Sequence, residues 1–373
     1  MISKKLLFIV NIPDFFISHR LSLALMAQKK GFQVHVATTD NENFHKLKTY
    51  GFISHKIYLN RGSLNVFHDL RTFISILRLL YKLRPDILHL LTSKSIIYGG
   101  LASRVIKIPK VVNAITGLGS VFVDTTSVFK NILKKIVLYL YKISINLNSI
   151  TIFQNNDNLE LFIKKRIINI SQARLIYGSG VNTDVFFFSE ESINNNPIVL
   201  FSSRLLKEKG LETFVDAAKI VKEKVNVRMV VVGEIDNDNP SSITSRQISK
   251  WVELGLIEWK GYIENMPKLL SESSIVCLPS YYPEGIPKAL IEAASSGRPI
   301  VTTHMPGCNV IVKNNHNGIL IPIKSPGYLA DAILKLLDDP KLRSKYGKNG
   351  RRLVIENFSS DIIDKATIAL YLR

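Results

Sequence analysis

Short aliphatic runs alternate with longer amphipathic stretches along the whole of this chain, and that rhythm leaves few architectures open. In the first half, strand-like runs lie at 6–10, 34–38, 53–58, 87–91, 110–115 and 150–154, with helical patterns at 18–30, 41–50, 65–83 and 97–106. The second half repeats the style, with strands at 198–202, 228–232, 257–259, 275–278, 299–302 and 318–321. Helical patterns there lie at 210–222, 242–253, 266–271, 288–296 and 328–338. Strands that alternate with helices of about 10–15 residues predict a parallel α/β sheet wound on both faces, since a parallel neighbour needs a crossover long enough to hold a helix. A length of 373 residues at 46% apolar content suffices for two such cores. The polar stretch 189–197, with Asn194-Asn195-Asn196, reads as the linker between them. The expected division is 1–190, 195–355, and a terminal segment at 356–373.

One segment carries most of the chemistry: Tyr282-Pro283-Glu284-Gly285-Ile286-Pro287-Lys288-Ala289-Leu290-Ile291-Glu292. It comes after the apolar strand 275–278. Gly285 and Pro287 read as a helix start, with Pro at the first helical position, where no N–H partner is lost. Such a first turn offers backbone N–H groups and a positive dipole end to a diphosphate. Eight residues at ~1.5 Å rise separate the two glutamates by on the order of 12 Å, the reach of a sugar–diphosphate–ribose unit. One carboxylate can accept from sugar hydroxyls and the other from ribose hydroxyls, with the phosphates between them. The competing readings are a capping accessory or an ion pair to Lys288 for Glu284, and an ordinary amphipathic-helix carboxylate for Glu292. The apolar neighbours of Glu292 favour a half-buried carboxylate that needs a partner. Upstream, Arg204 and Lys209 flank a turn that leads into a helix at Gly210. Fixed cations stabilise a departing diphosphate, although two solvated surface cations would look the same in sequence. Arg204 and Glu284 both come after strands, and ligands of open α/β sheets bind at the carboxyl ends of strands.

The spacing of Glu284 and Glu292 resembles the E-x₇-E signature of retaining family 4 glycosyltransferases. Phe201-Ser202-Ser203-Arg204-Leu205-Leu206-Lys207-Glu208-Lys209-Gly210 resembles that family's S-R-x-x-x-x-K-G segment. Lys260-Gly261-Tyr262-Ile263 is similar to its base-contacting turn, and Gly297-Arg298-Pro299 with Pro306-Gly307-Cys308 fits the strand and loop after the E-x₇-E helix. The resemblance implies the GT-B fold, two Rossmann-like doubly wound domains facing across a cleft, with a C-terminal helix at 359–372 crossing back to the first domain. It implies catalytic roles for Arg204, Lys209 and Glu284, and donor binding by Gly285, Ile286, Lys288, Glu292, Tyr262 and Ile263. It further implies retention without a protein nucleophile, a nucleotide-sugar donor with UDP favoured over GDP, and no cofactor. The segment Asn113-Ala114-Ile115-Thr116-Gly117-Leu118-Gly119-Ser120 resembles the subgroup that builds bacterial surface polysaccharide, of O-antigen or capsule type, on polyprenyl diphosphate. Thr116 stands where many members carry a histidine, so no catalytic histidine is assigned there. His19 and Arg20 are candidates for acceptor phosphates or donor sugar, as are Thr116 and Gly117 for the cleft; a capping or packing role for His19 is the alternative.

Net charge is +19, and it is uneven. Residues 1–191 carry 25 Lys and Arg against 11 Asp and Glu, a balance of +14, which leaves +5 for the remainder. The first half is thus expected to face something anionic. The pattern at 65–83 places Arg71, Arg78 and Lys82 among aliphatic and aromatic residues, and that at 129–147 does the same with Lys130, Lys134, Lys135 and Lys142. Both fit an interfacial helix on an anionic membrane, or a packed helix with a solvated cationic face. With no run of 18 apolar residues, the expected location is cytoplasmic, peripheral at the inner face of the plasma membrane. A basic nucleic-acid-binding protein is the rival, but no helix-turn-helix, zinc or single-strand motif is present, so no nucleic-acid partner is expected. A family 4 enzyme with a soluble acceptor is the other. Asp236-Asn237-Asp238 sits in turn-rich sequence and is read as a turn, so no metal is expected. Cys277 and Cys308 read as buried small hydrophobes.

Overall fold

The computed structural model describes residues 3–59, 65–119, 122, 128–191, 196–236 and 239–372. They form two compact units, Met1–Gly180 with Ser360–Arg373, and Val181–Ser359.

The first unit is a sheet of seven parallel strands: β1 Lys5–Ile9, β2 Gln33–Thr38, β3 Ile53–Lys56, β4 Ile87–Leu91, β5 Lys110–Ile115, β6 Ile150–Phe153 and β7 Ala173–Leu175. Their order is β3-β2-β1-β4-β5-β6-β7, so the chain reverses direction across the sheet between β1 and β4. Both faces are buried, which is why the strands read as continuous aliphatic runs. On one face Leu7, Ile9, Leu88 and Leu90 pack with Ile76, Ile97, Leu138 and Phe162 from the covering helices. On the other, Leu6, Phe8 and Val10 pack with Phe16, Leu23, Ile368 and Tyr371. Strand β7 is an addition to the expected set; Ala173-Arg174-Leu175 carries no apolar run, and only its pairing with β6 makes it a strand.

The first helix, Pro13–Lys29, begins five residues before the expected 18, because Pro13 opens it rather than breaking the chain. The helix Ser360–Leu372 belongs to this first unit and packs on Pro13–Lys29. Beneath it lies a buried polar group: Arg20 is 4% exposed, His89 Nδ1 and the Tyr371 hydroxyl share a hydrogen bond, and burial raises the Asp364 carboxyl to about 7.

Two helices of this unit carry apolar residues on their outer sides. Val66–Leu83 and Val128–Ser144 both pack against Ser93–Ile106. Their inner stripes join the core through Ile76, Leu80, Leu138 and Tyr141. Outside, Phe67, Leu70, Ile74 and Tyr81 of the first helix and Val128, Ile132, Ile136 and Tyr139 of the second are exposed. Arg71, Arg78 and Lys82 stand exposed among the former, and Lys130, Lys135 and Lys142 among the latter. Among the described residues no helix is long and apolar enough to cross a membrane.

The second unit holds six parallel strands: β8 Ile198–Ser202, β9 Arg228–Val232, β10 Glu258–Trp259, β11 Ile275–Leu278, β12 Ile300–Thr303 and β13 Gly318–Ile321. Their order, β10-β9-β8-β11-β12-β13, places the direction reversal between β8 and β11. Residues 181–190, expected in the first domain, pack with this unit instead. Arg351 donates to the carbonyls of Thr183 and Phe186, and the fully buried Arg298 guanidinium donates to Ser189. Of the linker stretch, residues 192–195 lie outside the described residues, while Glu191 is paired with Arg343 at 2.7 Å. The helix Pro340–Asn357 is a second addition to the expected set. Gly347 on it serves close packing: a Cβ there would lie 2.0 Å from the Gly297 carbonyl oxygen.

Candidate functional site

The loops that leave β8 and β11 run side by side at the point where strand order reverses, and the sequence stitches them together. The loop after β8 tightens into a 3-10 turn, Lys207–Lys209, and ends at Gly210 with φ +82°. A Cβ there would sit 2.1 Å from the Pro279 carbonyl oxygen, so only glycine admits this approach. Tyr281 N–H then donates to Glu208 O at 2.9 Å, joining the two loops by backbone.

That stitching turns Lys209 inward. Its side chain is 8% exposed, and Nζ lies 2.5 Å from Glu284 Oε2. The same ammonium stands 5.4 Å from the centre of the Tyr282 ring, a second favourable environment for its charge. Glu284 Oε1 accepts from Ser280 Oγ at 3.2 Å. The loop after β12 presses on Gly285 from behind: a Cβ at Gly307 would fall 1.5 Å from the Gly285 carbonyl oxygen. Cys308 lies buried next to the pair, and burial, with a contribution from Glu284, pushes its thiol up to about 12.

Pro287 stands at the N-cap of the helix Lys288–Ser295, one position earlier than expected, and offers it no side-chain hydrogen bond. Lys288 therefore occupies the first helical position. Its Nζ pairs with Glu292 Oε1 at 3.3 Å, so the lysine offered as a partner for Glu284 is matched instead to Glu292. The Glu292 side chain is 14% exposed, and burial raises its carboxyl above the usual range, with Lys288 opposing. Gly285 and Ile286 are buried at the start of this segment.

Arg204 is half exposed at the mouth of the β8 loop, with a guanidinium N–H 3.5 Å from Asp236 Oδ2 in the loop after β9. Asp236 is thus more than the turn residue its sequence suggests; its backbone N–H is held by Ser242 Oγ at 3.0 Å. Asp238, the other half of that D-x-D spacing, lies outside the described residues. Among the described residues no three His, Cys, Asp or Glu gather where one metal ion could bind them. Beyond β10, Gly261 O accepts from Gly233 N at 2.9 Å, which folds the turn over the end of β9. Tyr262 on that turn is exposed and Ile263 half buried.

The candidates of the first unit do not converge in the same way. His19 is stacked on Phe15 with ring centres 4.3 Å apart, and its Nδ1 lies 2.7 Å from Ser18 Oγ. Arg20, expected beside it at acceptor phosphates, instead points into the core toward Asp364 and Tyr371 of the last helix. Helical geometry explains the split: neighbours in sequence are about 100° apart on a helix, so the two cannot share a face. Thr116 and Gly117 come just after β5 and are half buried.

In the second unit, an inward lysine paired with Glu284 stands before a helix that carries Glu292, on the ligand-binding edge of a doubly wound sheet, and Arg204 is half exposed on the neighbouring loop. Such a set can hold an anion between cations and accept hydroxyl protons at either end. Residues 182–353 match the family model described as "Glycosyl transferases group 1", and residues 5–156 match "Glycosyl transferase 4-like". The chain is 30% identical over 91% of its length to the N,N'-diacetylbacillosaminyl-diphospho-undecaprenol alpha-1,3-N-acetylgalactosaminyltransferase of Campylobacter jejuni, covering 91% of that protein. It is 28% identical to the UDP-Gal:alpha-D-GlcNAc-diphosphoundecaprenol alpha-1,3-galactosyltransferase of Escherichia coli, over 80% of this chain and 78% of the other. Among solved structures, a sucrose-phosphate synthase from Thermosynechococcus elongatus shares the fold with a TM-score of 0.82 at 20% identity, over 99% of this chain and 98% of that one. Anabaena HepE, solved with UDP and glucose, does so at 0.78 and 18%, covering 99% of each chain.

Proposed function

This chain belongs to the group 1 glycosyl transferases and is a glycosyltransferase of the GT-B fold, and we propose that it moves a hexose or N-acetylhexosamine from a UDP-sugar to a saccharide on polyprenyl diphosphate. The product serves surface-polysaccharide synthesis, and the anomeric configuration is retained. The observation that carries the reading is the pairing of Lys209 with Glu284 at the strand-order reversal. In this reading the donor diphosphate takes Lys209 from Glu284. Charge grows on the leaving phosphate as the glycosidic bond breaks, and Lys209 and Arg204 stabilise it most strongly in the transition state. Glu284, relieved of its cation, accepts from sugar hydroxyls. Glu292 accepts from ribose hydroxyls, with Lys288 and the helix start beside the phosphates. Tyr262 and Ile263 meet the base. Both undecaprenol-linked relatives are named for α linkages, and an α product from an α-configured nucleotide sugar is retention.

The acceptor's lipid gives the exposed face of the first unit its part. Apolar side chains on two helices, interleaved with six exposed cations, match a bilayer surface that is apolar within and anionic outside. We propose that Val66–Leu83 and Val128–Ser144 rest on the membrane from which the acceptor is taken. A screen of UDP- and GDP-sugars against undecaprenyl-diphosphate-linked N-acetylglucosamine, read as nucleotide release and lipid-linked product, tests the whole reading. Transfer to free sugars at equal rate would favour a soluble acceptor instead.

A further inference from the structure

We propose that Ser280 is a positioning residue for the reaction: its hydroxyl holds Glu284 in place when the donor diphosphate draws Lys209 away. The inference rests on the donor reading above. Ser280 stands just past the end of β11 and has no exposed surface. Its carbonyl oxygen accepts from Thr303 Oγ1, and its Oγ accepts from Tyr282 N–H at 3.2 Å, so the residue is fixed from two sides. The hydroxyl carries one proton and faces two acceptors, Glu208 O at 3.2 Å and Glu284 Oε1 at 3.2 Å.

This geometry permits an exchange that leaves no carbonyl stranded. With Lys209 on Glu284 Oε2, the carboxylate is matched by a full charge, and the hydroxyl proton is shared. When Lys209 turns to a phosphate, the negative charge on Glu284 becomes the stronger acceptor, and the proton swings fully onto Oε1. Glu208 O loses that bond but keeps Tyr281 N–H at 2.9 Å. Glu284 stays where the loop put it, and Oε2 is released for a sugar hydroxyl. Without the Ser280 hydroxyl, Oε1 loses its hold from this side. The carboxylate is then held less firmly as Lys209 moves, and the sugar loses part of the fixed acceptor it needs.

The test is a double-mutant cycle with the nucleotide sugar turned over fastest in the screen above and with the nucleoside diphosphate it releases. Ser280→Ala should lower kcat/KM for the sugar donor about 10-fold, the usual scale for losing one hydrogen bond to a charged group. The dissociation constant of the nucleoside diphosphate, which has no sugar to position, should stay within about twofold of wild type. In a Glu284→Ala background the further change Ser280→Ala should cost nothing in kcat/KM, because the group it acts through is gone. Ser280→Cys, close in size with a weaker donor, should fall between serine and alanine at an unchanged melting temperature. An equal loss from Ser280→Ala in both backgrounds, or a matching loss of nucleoside diphosphate affinity, overturns the positioning role. If Glu284→Ala alone turns over donor like wild type, the donor reading itself fails, an outcome distinct from either of these.

Discussion

The two units share an architecture and differ in how they hold polar residues. In the second, loops at one sheet edge are tied by glycines that admit no side chain and by backbone bonds, and charged residues from distant segments meet within 2.5–3.5 Å. In the first, the residues nominated from sequence scatter: Arg20 joins the core, His19 stacks on its own helix, and Thr116 sits two strands away after β5. What the first unit presents instead is a surface, apolar and basic, on two helices. The contrast fits two kinds of ligand. A nucleotide sugar presents a few charged and hydroxyl groups at short range, so it rewards fixed groups at fixed spacing. A lipid-linked saccharide in a bilayer is met over an area, where many residue choices serve equally.

The sharpest way to break this contrast is through the two cations of the second unit. Arg204→Ala and Lys209→Ala should each lower kcat on the order of 10²–10³-fold, with the double variant losing less than the product, since both act on one diphosphate. Their stabilities should part company. Arg204 is half exposed and 3.5 Å from its partner, so its loss leaves the melting temperature near wild type. Lys209 is buried against Glu284, so Lys209→Ala leaves that carboxylate without its cation and lowers the melting temperature; adding Glu284→Gln should restore part of it. An intact kcat in Arg204→Ala would leave the mechanism without its main support.

Glu292→Gln should weaken donor binding by roughly 1.5–3 kcal/mol, read by titration calorimetry, while the fold persists. The carboxyl is raised above its ordinary 4.5 by burial, so the folded chain holds that proton more tightly than the unfolded one. The stability it lends is present at low pH and lost as pH climbs from the ordinary carboxylate range through the raised value. Glu292→Gln should flatten this part of the melting-temperature profile, and an unchanged slope would show that the carboxylate is matched in the fold.

On the first unit, Phe67→Ser with Ile136→Ser should lower partition into vesicles of anionic lipid about 10-fold and leave hydrolysis of the donor in solution unchanged. Equal partition by wild type and variant would remove the membrane from the reading of this face. The smallest expected effect is none: if Arg204 and Lys209 serve the diphosphate as proposed, activity should survive EDTA. Loss on chelation, restored by magnesium or manganese, would give the diphosphate a metal partner and change the account of the second unit.

Periodicity alone determined the two parallel sheets, because strands buried on both faces must be aliphatic along their whole length and their crossovers must be amphipathic. Arg204, Lys209 and Glu284 stand out in sequence because they follow strand ends in segments that resemble a known family, and Glu292, on the helix that follows, because it is a carboxylate among apolar neighbours. The same periodicity started the first helix at 18, since a proline that opens a helix looks like a break until the packing is known, and it left the helix Pro340–Asn357 unassigned. Only the tertiary structure decided which charge answers which. Lys288 lies four residues from both Glu284 and Glu292, yet the segment before it is irregular and the one after it is helical, and the helical turn brings its ammonium to 3.3 Å from Glu292. Lys209 and Glu284 lie 75 residues apart and are joined because β8 and β11 are neighbours where the strand order reverses. Ser280, a small polar residue with no motif of its own, acquired a partner only when that pairing brought Glu208 and Glu284 to the same hydroxyl.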